Sequence, residues 1–221
     1  RQRMQQHSRG VAGRQILLAT TNIEEGRGGI CRKAWPNDGA YGYTDVMTTD
    51  TNIRWANADD AAHIVRLIKA LAEFENEPAS SVRITEADIL RDGFGGGDNS
   101  PRRFECLIAE AAGRPVGLCL FFHNYSTWEG RAGLYVEDLF VEEAARGHGL
   151  GRTLMAALAA IARARNCPRI ELSVLDWNPA RKFYDRIAMS HMDEWRPYRL
   201  EGKAIEALAR AAPELDGGQT P

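Results

Sequence analysis

The decisive stretch runs Tyr135-Val136-Glu137-Asp138-Leu139-Phe140-Val141, continues through Glu142-Glu143-Ala144-Ala145, and ends in Arg146-Gly147-His148-Gly149-Leu150-Gly151-Arg152. Residues 133–141 are rich in β-branched and aromatic side chains, which predicts a strand. Leu154, Met155, Leu158, Ile161 and Ala162 share one helical face, which predicts a helix after Gly151. The glycines between them allow a left-handed backbone and close approach of N–H groups to a ligand. The first turn of the following helix adds unpaired N–H groups and the positive end of the helix dipole, a setting suited to a pyrophosphate. Arg146 and Arg152 flank the loop and offer charge-assisted contacts to phosphate oxygens. Two rival phosphate motifs fail here. The Gly-Lys-Ser/Thr of a Walker loop is missing, and the spacing is G-x-G-x-G late in the chain instead of G-x-G-x-x-G in an early βαβ unit.

Working outward, Ile53-Arg54-Trp55 alternates like a short strand, and Asp59 or Asp60 caps a helix running to about Phe74. A second helix follows Thr85 and closes at the glycine-rich loop 93–97. The runs 104–110 and 116–123, joined by Ala-Gly-Arg-Pro, read as a hairpin. Past the long helix come a strand over 169–177, a short helix after Pro179, a last strand over 195–200 and a short amphipathic helix over 203–210. Three consecutive strands with short connections must pair antiparallel, which excludes a uniformly parallel sheet. The predicted order is β-α-α-β-β-β-α-β-α-β, an α+β fold with a mixed, mostly antiparallel sheet flanked by helices. Residues 1–51 read as a disordered extension, 52–212 as the single domain and 213–221 as a loose tail.

Composition narrows the function classes. With 221 residues, 44% hydrophobic and 26% charged, the chain has room for one good core. A net charge of −2 gives no overall bias toward nucleic acid or an anionic membrane, and neither is expected as a partner. No apolar run approaches the ~20 residues of a membrane span. Cys31, Cys106, Cys119 and Cys167 are scattered, without metal or disulfide spacing, so no metal is expected and a reducing, cytoplasmic setting fits.

The strand and glycine loop together resemble the acetyl-CoA motif of the GNAT N-acetyltransferase superfamily, whose loop reads R-G-x-G-x-G/A. Further stretches are similar to its diamine (spermidine/spermine) N-acetyltransferase branch and the thialysine-acetylating relatives: Leu67 to Glu75, Leu90 to Gly95, Asp176-Trp177-Asn178 and Phe183-Tyr184. The resemblance spans about Asn52 to Lys203. It implies acetyl-CoA as co-substrate, direct acetyl transfer to a small amine (a diamine, polyamine or lysine analogue) and a homodimer. It implies cofactor contacts from Leu139, Phe140, Val141, Arg146, Gly147, His148, Gly149, Leu150, Gly151, Arg152, Asn178 and Arg181. Phe74, Glu75, Glu137, Glu171 and Ser173 are implied at the amine. Glu137 is implied as the proton acceptor and Tyr184 as the hydrogen-bond donor to the departing sulfur.

The chemistry asks for such groups. An alkylammonium has a pKa near ~10.4, so freeing its lone pair at pH 7 costs about 4–5 kcal/mol. Strand side chains alternate, so of Glu137 and Asp138 at most one is expected to face the cleft. Glu73, Glu75 and Glu77 gather at the end of the first long helix, where they oppose the helix dipole, and Tyr125, Trp128 and Trp177 offer cation–π faces. The chain departs from the branch in one place. Asn178-Pro179-Ala180-Arg181-Lys182-Phe183-Tyr184 is one residue short, which would turn the helix start by about 100°. Either loop slack restores Tyr184, or the chain is a catalytically silent acyl-CoA-binding module.

Overall fold

The computed structural model describes residues 50–95 and 101–213. The extension expected over residues 1–51 lies outside these except for its last two residues, and so does the tail beyond Pro213. Strand β1 (Thr51–Trp55) is followed by helices α1 (Ala61–Phe74) and α2 (Glu86–Phe94), then by strands β2 (Glu105–Ala111), β3 (Arg114–Ser126) and β4 (Arg131–Val141). Helix α3 (Leu150–Ala164), strand β5 (Ile170–Leu172) and helices α4 (Arg181–Arg186) and α5 (Lys203–Ala209) complete the domain. The sheet runs β1-β2-β3-β4-β5, antiparallel throughout except for the parallel pair β4–β5.

Two cores lie on opposite faces of this sheet. On one, α3 buries Leu150, Leu154, Met155, Leu158 and Ala162 against Leu107, Cys119, Phe121, Leu134 and Val136. On the other, α1 and α2 bury Ile64, Leu67 and Ile89 against Ile108, Leu118, Leu120 and Phe140. The start of α1 is pinned electrostatically. Asp60 is only 3% exposed. It accepts from both terminal nitrogens of Arg54, at 2.7 and 2.8 Å, and from the backbone N–H of Asn57 at 2.8 Å. Arg54 holds its carboxyl below the usual range. Thr85 and Asp88 form a reciprocal capping box at α2.

Two expected strands are corrected. The run over 169–177 pairs only at Ile170–Leu172, and the run over 195–200 forms no strand. The cause is local. Beyond Leu172 the chain leaves β4, and the last segment joins neither the free edge of β4 nor that of β5. Pro197 also lacks the N–H that a ladder needs, and Tyr198 stands 95% exposed.

The β3–β4 register decides how the end of β4 is presented. Leu120 pairs with Asp138 but Phe121 pairs with Val136, so Glu137 is an extra residue without a cross-strand partner. Such a bulge bends its strand and sharpens the twist. Beyond it the β4–β5 ladder stops, and the β5-facing edge of β4 is open from Glu137 to Val141. Gly117 keeps this end of β4 close to β3. A Cβ there would stand 2.7 Å from the Phe140 carbonyl oxygen and 3.1 Å from a Val141 methyl. Gly117→Ala should therefore push the strands apart and lower stability by about 1–3 kcal/mol, read as a lower urea midpoint. An unchanged midpoint would show that β4 yields freely.

Candidate active site

After β4 the chain turns at Glu142, whose N–H donates to the Val116 carbonyl at 2.8 Å. The Glu142 carboxylate is paired with Arg66 and, at 3.0 Å, with Arg114. A 3-10 turn over Glu143–Ala145 then delivers the loop. Gly147 and Gly149 have φ of +86° and +79°, which side chains with a Cβ rarely adopt, and a Cβ on either would meet nothing within 4 Å. Conformation, not crowding, demands these glycines, and the loop's outer side is open. The first bond of α3 runs from the Thr153 N–H to the Gly149 carbonyl at 3.0 Å. The N–H groups of Leu150, Gly151 and Arg152 therefore head the helix without intrahelical partners.

The flanking arginines divide. Arg152 is exposed at the head of α3. Arg146 folds back: its Nε donates to the Val141 carbonyl at 2.9 Å, and its guanidinium lies 4.4 Å from the Phe74 ring centre and 5.6 Å from that of Phe140. The Phe74 and Phe140 rings are themselves 6.4 Å apart. This stack places Glu75, which caps α1, over the open half of β4.

The acids at the end of α1 separate in the same way. Glu73 and Glu77 are exposed, whereas Glu75 is half-buried and burial raises its pKa. Glu137 is exposed on the bulge. Asp138 sits opposite Leu120, on the α1 side, and is half-buried. Burial, then the nearby charges of Glu137 and Glu75, push its carboxyl up to about 6. The bulge thus breaks the strict alternation expected across this pair. Val136 faces α3 and Asp138 faces α1, although they are two residues apart. Nothing in the local sequence pattern announces this bulge.

The short segment before α4 is held by its own local hydrogen bonds. The Asn178 side chain is 6% exposed, and its Oδ1 accepts from the Ala180 N–H at 2.9 Å. Arg181 is bonded to Asp176, at 2.7 Å to the carbonyl and 2.6 Å to the carboxylate. Tyr184 is half-buried. Burial raises its hydroxyl to about 12, with smaller contributions from Cys119 and Glu75. Glu75 thus comes within electrostatic reach of both Asp138 and Tyr184, which lie on two other elements. Glu171 and Ser173 stand apart from them. Glu171 accepts from Asn124 at 2.6 Å and has the Arg169 Nε 2.9 Å away as a charge contact, while Ser173 shares a 2.8 Å hydrogen bond with Tyr135. Trp128 is 90% exposed, so it is not a packing residue.

The acetyltransferase (GNAT) family profile matches residues 52–189. The chain belongs to the GNAT acetyltransferase family. It is 37% identical over 169 residues to the thialysine N-epsilon-acetyltransferase of Bos taurus, covering 71% of this chain and 96% of that protein. A Caenorhabditis elegans thialysine N-epsilon-acetyltransferase is 36% identical over 155 residues, covering 68% and 92% of the two chains. Human spermidine/spermine N(1)-acetyltransferase-like protein 1 is 34% identical over 168 residues, covering 71% of this chain and 23% of that longer one. Among solved structures, an integron cassette protein from the V. cholerae mobile metagenome superposes with a TM-score of 0.59 at 25% identity, over 73% of this chain and 98% of the other.

The protein is therefore an N-acetyltransferase, with acetyl-CoA as its acetyl donor. The residues fit that donor: an open, cradle-shaped glycine loop at a helix head for the pyrophosphate, and an unpaired strand edge running up to it. Among the described residues no helix is long and apolar enough to cross a membrane, and no cluster of His, Cys, Asp or Glu could hold a metal.

Gly149→Ala should strain a left-handed position by about 1–2 kcal/mol. If the loop must keep this shape to bind, acetyl-CoA affinity falls by about 5- to 30-fold in calorimetry. Unchanged affinity would remove the loop from the donor site.

Proposed function

We propose that this acetyltransferase acts on the primary amine of a small cationic substrate, of the diamine, polyamine or lysine-analogue class. The observation that carries the reading is the pair Glu75 and Asp138. Both are half-buried acids whose pKa values burial raises, and no Lys or Arg bonds to either among the described residues. A cationic substrate would supply the missing charge. The names of the relatives, which act on thialysine or carry spermidine/spermine in their description, support the same class.

Leu139, Phe140 and Val141 offer the open strand edge to the donor's amide chain. Gly147, His148, Gly149, Leu150, Gly151 and Arg152 offer N–H groups and charge to its pyrophosphate. Arg146 and Arg181 are reached only if the donor draws them from Phe74 and Asp176, and Asn178 shapes the turn that presents α4. Phe74 and Glu75 stand nearest the acceptor amine, with Glu171 and Ser173 further along the groove.

Glu137 and Tyr184 handle the protons. Glu137, exposed on the bulge, passes the amine's proton out to water. Tyr184, with its hydroxyl near 12, is neutral at physiological pH. Against a thiol near ~8.5, outright proton donation would be uphill by about 5 kcal/mol, so Tyr184 stabilises the departing sulfur as a hydrogen-bond donor. The sulfur's proton comes from the acylated nitrogen. We further propose a homodimer, which would cover the exposed Trp195, Tyr198 and Leu200. A cytoplasmic location suits the three free buried thiols, Cys106, Cys119 and Cys167.

The test is thiol release from acetyl-CoA against a panel of diamines, polyamines, lysine analogues and uncharged amines. Dications should be preferred by kcat/KM, and donor binding without turnover on any amine would overturn the reading. Tyr184→Phe should lower kcat by about 100-fold with little change in either KM. A KM effect alone would make Tyr184 a packing residue.

A further inference from the structure

We propose that Asp138 is the first acceptor of the amine's proton and that Glu137 is the outer station that hands it to water. This rests on the acetyl-transfer reading above.

The geometry supplies the order. The unpaired residue of the bulge is Glu137, which is exposed, and the next residue, Asp138, turns to the α1 side opposite Leu120. There it lies under the end of α1, where the Phe74–Phe140 contact sets Glu75. An ammonium drawn in by Glu75 and Asp138 meets Asp138 on the interior side, with Glu137 between it and solvent.

The neighbours of Asp138 are known from every packed element. From its own strand comes Glu137, and from α1 comes Glu75. From β3 comes Cys119 and from β2 Cys106, thiols that burial keeps neutral. Tyr184 of α4 joins through Glu75 and Cys119, also neutral. Arg146 of the loop is spent on the Val141 carbonyl and the Phe74 ring. With acids on two sides and no bonded cation, the Asp138 carboxyl is raised to about 6. That is basic enough to take a proton and acidic enough to release it near neutrality.

The step balances. R–NH3⁺ gives one proton to the Asp138 carboxylate, leaving R–NH2 and a neutral carboxyl. The free amine attacks the thioester carbon, the C–S bond breaks, and the proton remaining on nitrogen leaves with the thiolate as the thiol. Asp138 returns to its anion through Glu137 and water, so one proton reaches solvent per acetyl transferred.

The experiment pairs two readouts on the full chain: ¹³C-carboxyl NMR titration of Asp138 in the free protein, and the pH profile of kcat/KM for the best amine. Wild type should titrate near 6, with activity falling as pH drops through the same value. Glu75→Gln removes a like charge, so it should move both midpoints down together by about 0.5–1 unit. Asp138→Asn should abolish that acid limb and lower kcat by about 100-fold or more.

The same variant reports on folding. A carboxyl raised in the folded state contributes stability at low pH that is lost as pH rises through its folded value. Asp138→Asn should therefore gain urea resistance relative to wild type above pH 6, which separates lost chemistry from lost structure. A midpoint near the ordinary ~4 with full turnover would overturn the relay alone, as would an acid limb that Glu75→Gln leaves in place. Absence of turnover on every amine, with Asp138 still titrating near 6, would overturn the acetyl-transfer reading and the relay together.

Discussion

One extra residue in β4 governs the working end of the molecule. Because Glu137 has no partner on β3, the strand bends at that point, and its ladder with β5 stops after Val136. Everything else at the site follows from that parting. The freed edge gives an extended chain a place to lie, and the glycine loop after Val141 leads from it into α3. The same bulge rotates the acidic pair, so that one carboxylate meets water and the other meets the interior. Without it Asp138 would share the α3-facing side of Val136, among Phe121 and Leu134, where a charged group has no outlet.

The two cores are what allow this end of the sheet to hold its shape. Arg54, Asp60 and Glu110 tie β1 and β2 to the start of α1, and the Phe74–Phe140 contact fixes its other end over β4. Helix α1 thus spans from the Arg54–Asp60 ion pair to Phe140 of β4. Helix α3 spans the opposite face, and its head follows the glycine loop after β4. In the proposed reading the two helices set acceptor and donor from opposite faces, and β4 is the element both share. Arg146 joins the two halves directly, since its guanidinium leaves the glycine loop to lie on the aromatic residue beside Glu75.

Most of the fold is legible in the sequence, because periodicity reports burial and the helices and central strands are buried on defined faces. The helix over 61–74, the hairpin of β2 and β3 and the strand–loop–helix of β4 and α3 all carry strong patterns. The C-terminal strand is not legible in the same way. Trp195, Tyr198 and Leu200 have strand-like character, but a strand exists only where a neighbour supplies an edge, and that is a tertiary fact. At the site, the glycine loop is readable because glycine is the direct signature of a left-handed backbone. The division of labour among acids is not. Glu73, Glu75 and Glu77 look equivalent as text, and only packing makes Glu75 different. That Asp138 faces α1 is likewise hidden, because the alternation rule holds along a regular strand and fails at a bulge.

The turn before α4 joins a short connection to a helix whose own packing sets its bearing. Phe183, Ile187 and Met189 are seated against the α3-side core, and these contacts fix the rotational phase of α4. Ahead of it, the buried Asn178 side chain accepts from the Ala180 N–H and closes the turn. The direction of Tyr184 is thereby tied to the packing of α4 as well as to the chain that leads into it. A helix seated in this way behaves like a key held by its teeth as well as by its chain.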